Sequence, residues 1–112
     1  MGVDFTHCKA SWAYSGFGRF RRELYNFAGF SGDLYADYDD GKFLQAKDHA
    51  LFPLWNHSDC DGHLTPKEMT QLIPAMKELV PKLKDSYDRM MGQRLIEGME
   101  DAVANHERLE FH

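Results

Sequence analysis

Three acidic residues near the middle of the chain carry its most specific chemistry. Asp59 and Asp61 place carboxylates two positions apart, Gly62 follows, and Glu68 stands six residues further on. Calcium loops of twelve residues distribute oxygen ligands in this way, with a glycine at position 6 for the sharp turn and a bidentate glutamate at position 12. With Gly62 at position 6, Asp59 falls at 3, Asp61 at 5, the His63 carbonyl at 7, Thr65 at 9 and Glu68 at 12. Position 1 is His57, where an aspartate is usual, and imidazole suits softer transition metals better than calcium. The pattern predicts a weak calcium site with Asp59, Asp61, Thr65 and Glu68 as side-chain ligands and His63 lending its carbonyl. Asn56 offers a further oxygen if the loop begins one residue early. Zinc ranks below calcium. His57 and His63, with His49 upstream, keep it in view, but zinc sites come with spaced Cys/His pairs and Cys60 stands alone. Without any metal, the same loop could be held by aspartates accepting backbone N–H groups, or by His57 as a hydrogen-bonding cap.

Two helices must flank such a loop. Asp48 to Trp55 supplies the incoming one, burying Ala50, Leu51, Leu54 and Trp55, and Pro53 is tolerated only in a first turn or at a kink. Thr65-Pro66-Lys67-Glu68 is a strong helix start, with Thr at the N-cap, Pro at N1 and Glu at N3 of a capping box. Glu68 is thus claimed by both the cap and the metal. Leu72, Ile73, Met76, Leu79 and Val80 form the apolar face of the exit helix, with a kink expected at Pro74 and a break at Pro81.

From His57 to Glu68 the chain resembles the loop of the EF-hand superfamily. A longer pattern is similar to a group of small uncharacterised bacterial and phage proteins. It comprises Tyr14-Ser15-Gly16-Phe17, Phe20-Arg21 and Pro53-Leu54-Trp55-Asn56-His57-Ser58-Asp59-Cys60-Asp61-Gly62. The resemblance implies a fold and an origin and leaves the activity open.

Elsewhere, Val3 to Lys9 alternates apolar and polar residues as a short strand does, and Leu109 and Phe111 alternate likewise at the other end. The two are expected to pair antiparallel and lie on the helices. Phe17, Phe20, Leu24 and Phe27 lay an aromatic stripe along a helix capped by Ser15 and ended by Gly29. Arg19, Arg21 and Arg22 on its other faces read as a solvated surface in preference to an anion contact. The Asp39-Asp40-Gly41 step suggests an acidic, exposed hairpin or tight turn. It fails as a second calcium loop, since that register puts Ala36, Tyr38 and Lys47 at ligand positions. Lys82 to Asn105 is the longest periodic segment. Gly92 and Gly98 within it are expected where another element packs closely.

A chain of 112 residues makes one domain, residues 1–112, and the fold class read here is mainly α, α+β at the margin. About four helices surround a single EF-hand-like helix-loop-helix, with a short antiparallel pairing of the terminal strands. A net charge of −5 argues against nonspecific binding to nucleic acid or an anionic membrane. With neither a signal-peptide pattern nor an apolar run of membrane-spanning length, the expected compartment is the cytoplasm. No nucleophile–base motif, phosphate loop or metalloprotease signature appears, so a non-enzyme is expected. Two functions remain: a calcium- or metal-binding module mediating contact with a protein partner, and a metal-independent acidic phage or bacterial inhibitor or adaptor that keeps the loop geometry.

Overall fold

A computed structural model describes residues 2–58 and 61–112. Among the described residues the chain is mainly α, with five α-helices and two short antiparallel strand pairs. Strand β1 (Gly2–Asp4) pairs with β2 (Ser11–Ala13), which leads into α1 (Tyr14–Phe27). Helix α2 (Leu34–Asp40), a 3-10 turn (Lys42–Ala46) and the single turn α3 (Phe52–Trp55) precede the loop. Strand β3 (His63–Leu64) then leads into α4 (Pro66–Leu79). A 3-10 turn (Val80–Lys82), α5 (Ser86–Ala104) and β4 (Leu109–Glu110) complete the chain.

The two ends meet in one isolated antiparallel bridge, while the ladder partners of the terminal strands are β2 and β3 in place of each other. Phe5 bridges Phe111, and Asp4 and His112 exchange backbone N–H···O bonds of 3.1 and 2.8 Å. The first strand is shorter than its polar–apolar pattern, because His7 takes a left-handed conformation and the chain turns back into β2. β4 also pairs with β3, Leu109 opposite Leu64, so the terminal strand touches both the N-terminal ribbon and the loop.

Phe17, Phe20 and Leu24 on α1 are fully buried. Phe5, Trp12 and Phe111 close over them, with Phe5 edge-on to Trp12, Phe17 and Phe111 at 6.0, 5.7 and 4.8 Å between ring centres. Edge-to-face rings add about 0.5–1.5 kcal/mol per pair to the burial of their apolar area. Phe27 departs from the expected stripe. It is the last residue of α1, overhangs the core and stays 39% exposed, while Tyr25 is buried instead. Ser15 does not cap α1 either; Ala13 occupies the N-cap without a side-chain bond.

At the expected hairpin or tight turn, Asp39 and Asp40 close a helix and Gly41 turns the chain out of it. Asp33 caps α2 by accepting the Ala36 N–H at 3.2 Å, and Gly41 ends it in the left-handed region. Asp37 is buried, taking the Tyr25 hydroxyl at 2.8 Å, so only part of this acidic run faces solvent. The incoming helix shrinks to one turn with Pro53 inside it, as proline's missing N–H allows. α4 passes through Pro74 and the break comes at Val80–Lys82.

Both glycines of α5 mark close approaches. A Cβ at Gly92 would lie 2.8 Å from Val80 Cγ1 and 3.1 Å from Phe20 Cε1, and one at Gly98 would overlap the Cβ of Cys8. Gly98→Ala is expected to destabilise the fold by about 1–3 kcal/mol through overpacking, despite alanine's better helix propensity. Urea unfolding of the single variant and of Gly98→Ala with Cys8→Gly checks this, the second change restoring most of the loss.

Candidate functional site

The loop is set from below by a buried cation. Arg21, one turn past Phe17 on α1, is 2% exposed. Its Nη1 donates to the carbonyls of His57 at 2.6 Å and Leu54 at 3.4 Å, and Nη2 donates to the Tyr35 hydroxyl at 3.0 Å. The guanidinium carbon lies 4.5 Å from the centre of the Phe17 ring. The carbonyl end of α3 faces this charge, as helix-end dipoles favour. Nε finds no hydrogen-bond partner among the described residues, the mark of a group fixed by its neighbours' needs. The expectation of a solvated arginine face therefore fails for Arg21. Its neighbours are engaged too, Arg19 with Asp88 and Arg22 with Asp33 at 3.0 Å.

His57 then folds its ring over the loop. Nδ1 lies 2.8 Å from the Ser58 carbonyl and Nε2 lies 3.1 Å from the His63 carbonyl. A neutral imidazole carries one N–H and donates to one of these oxygens; an imidazolium donates to both. The ring stacks on Phe111 at 3.9 Å between centres and 27° between planes. Gly62 lies beneath it with φ +92°, where a Cβ would be 3.1 Å from His57 Cε1. Both the positive φ and the ring above it demand glycine. The Gly62 carbonyl accepts the Phe111 N–H at 2.9 Å, and Leu64 turns inward, fully buried, as position 8 requires.

At the exit the capping box is complete. The Thr65 hydroxyl oxygen accepts the Glu68 N–H at 3.2 Å, while Glu68 Oε1 accepts the Thr65 N–H at 2.9 Å and its hydroxyl at 3.1 Å. Of the remaining candidate ligands, Asp61 is exposed, its N–H donating to Ser58 Oγ at 3.4 Å, and Asp59 lies outside the described residues. His63 is exposed and contributes its carbonyl to His57. Among the described residues no three His, Cys, Asp or Glu side chains gather as an ion site. The donor types suit a hard cation, but the His63 carbonyl already faces His57 Nε2, and Oε1 of Glu68 is taken by the helix cap. His49 is turned to structure: its Nδ1 accepts the Leu51 N–H at 3.0 Å, and burial lowers its pKa.

Sequence reasoning missed a second polar network. Asp88, fully buried, accepts from Trp12 Nε1 and from Arg19 Nε and Nη2, each at 3.1 Å. The Arg19 pKa is raised chiefly by its bond to Asp88, and burial raises that of nearby Glu23. The one available signal was the spacing of Asp85 and Asp88, N-cap and N3 of α5, but it marks a helix start and not a buried charge. Burial also pushes the Cys8 thiol up, which leaves less thiolate for nucleophilic chemistry.

No family model, curated protein or solved structure matches the chain.

Lysine keeps the charge of Arg21 but lacks the planar fork that reaches two carbonyls and a hydroxyl at once. Arg21→Lys is expected to cost about 1–3 kcal/mol, the penalty for stranding buried polar groups, and to loosen the loop before the core. Chemical unfolding measures the first effect, and amide exchange at Ser58 and Gly62 against that in α5 measures the second.

Proposed function

We propose that this chain is a small non-enzymatic binding module built on an EF-hand-like loop that takes calcium weakly and holds its shape with its own side chains. The observation that carries the reading is the 3.1 Å contact between His57 Nε2 and the His63 carbonyl. That carbonyl is the oxygen the loop pattern assigns to position 7, and His57 is the residue at position 1, where calcium loops offer a carboxylate. The loop therefore loses one ligand to substitution and lends a second to the substituting side chain. A shallow affinity follows, because calcium must share that carbonyl with the ring or displace it. Partner contact falls to exposed side chains. Tyr38 and Leu44, 53% and 54% exposed, stand beside Asp39 and Asp40 and offer the mixed aromatic, aliphatic and charged surface that protein partners bury.

The metal-independent alternative, an acidic inhibitor or adaptor, draws on the same closure: Arg21, His57 and the capping box hold the described part of the loop from three sides.

Calcium titration with thermal melting separates the two. A ligand that binds only the folded chain stabilises it by about 2.7 kcal/mol at a hundredfold excess over its dissociation constant. His57→Asp is expected to tighten calcium binding by about tenfold or more, restoring a carboxylate and freeing a carbonyl together. Asp61→Ala is expected to abolish the response. Melting curves that coincide in calcium and in chelator, for the wild type and for His57→Asp alike, overturn the calcium reading and leave the adaptor.

A further inference from the structure

His57 and Phe111 sit at the crossing of two structures that a helix-loop-helix does not by itself join. On one side is the loop, with the ring of His57 over Gly62 and its Nε2 at the His63 carbonyl. On the other is the C-terminal strand. Phe111 stacks on that ring, donates its N–H to the Gly62 carbonyl at 2.9 Å and meets Phe5 edge-on at 4.8 Å. The next residue, His112, is tied to Asp4 by two backbone bonds, and Leu109 pairs with Leu64. The Glu110 carbonyl also accepts the Thr6 N–H at 3.0 Å, the Glu110 N–H donates to Thr6 Oγ1 at 2.9 Å, and Leu109 and Phe111 are buried, so the His57 stack is one attachment of the strand among several and the one that ties it to a loop side chain.

We infer that His57 is a latch: its ring ties the described part of the loop to the C-terminal strand, so that a divalent cation which displaces the ring from the His63 carbonyl also loosens the strand. While the ring stacks on Phe111 its Nε2 stays 3.1 Å from that carbonyl oxygen, so an ion either shares the oxygen with the ring or moves the ring aside. An ion that moves the ring weakens the stack, and the linkage then runs both ways, since stronger docking of the strand must weaken the ion by the same factor. What is exchanged is the polar edge of β3 and the apolar face of Phe111, both covered while the strand is docked. The cation half of this inference rests on the calcium reading above; the latch itself does not.

Amide hydrogen exchange on the full chain tests both halves. The amides of Phe111 and His112 report the strand, and those of Leu95, Ile96 and Met99 in α5 report global stability. In chelator, His57→Ala is expected to speed exchange at Phe111 and His112 by about three- to tenfold, the worth of one aromatic stack, with the α5 amides scaling only with overall stability. His57→Phe keeps the stack without the bonds to the carbonyls and is expected to leave the strand protected, which guards against reading a general loosening as the latch. Calcium at concentrations that give a binding heat is expected to speed the same two amides in the wild type and to leave them unchanged in His57→Ala. Unchanged exchange at Phe111 and His112 in His57→Ala overturns the latch. A calcium heat with no change at these amides overturns the coupling while the calcium reading stands. No calcium heat at all overturns the calcium reading and the cation half with it, and the variants in chelator still decide the latch.

Discussion

A single guanidinium decides how the loop meets the rest of the molecule. Arg21 is placed in the core by the α1 periodicity that also buries Phe17 and Leu24, and a charge so placed must find oxygens. It finds them in the carbonyls of Leu54, at the end of α3, and His57, just past it, and in the Tyr35 hydroxyl. Each group supplies what the other lacks. The result fixes the backbone on which His57 is mounted, and through its ring the contacts to Gly62 and Phe111. A four-residue helix such as α3 has no intrinsic stability in water, so this external tie is what holds it and aims the chain after it.

From that anchor the loop is built by short-range closure at each end. The capping box starts α4 at Thr65, and Leu64 enters the core beside it, so the exit is set without reference to any ion. β3 pairs with the chain's own last strand, and the terminal residues are thereby tied to the centre of the sequence. The aromatic cluster of Phe5, Trp12, Phe17, Phe20 and Phe111 is the common floor beneath both.

Local signals in the sequence were reliable where the cause is local. Thr65 to Glu68 forms the capping box its spacing implies, Gly62 takes the positive φ its position requires, and Gly92 and Gly98 mark close packing. Alternation brought the chain ends together at the Phe5–Phe111 bridge, but it did not show that the ladder partners of β1 and β4 are β2 and β3. What stayed hidden was the fate of polar residues on helices. Arg21, Asp37 and Asp88 look like surface charges by type, although the spacing of Arg21 from Phe17 and Leu24 sets it on the apolar face, and each is buried with a hydrogen-bond partner far along the chain. Periodicity records which face is apolar and cannot register a partner at Trp12 or His57. Asp39-Asp40-Gly41 misled for a related reason: an Asp-Gly step fits a hairpin turn and a left-handed helix end equally, and the Asp33 cap tips it to the helix. The function of the loop was legible only as a pattern of ligand types, because nothing in that pattern shows that position 1 folds back on position 7.

The placement of the His57 ring is the claim on which the reading of the loop rests, and proton cross-relaxation measures it directly. In chelator, the His57 Hε1 proton should give cross-peaks to the Gly62 Hα protons and to the ring protons of Phe111, because the ring packs against both. A His57 ring with cross-peaks to neither, its proton signals matching those of a free solvent-facing histidine, would contradict the account.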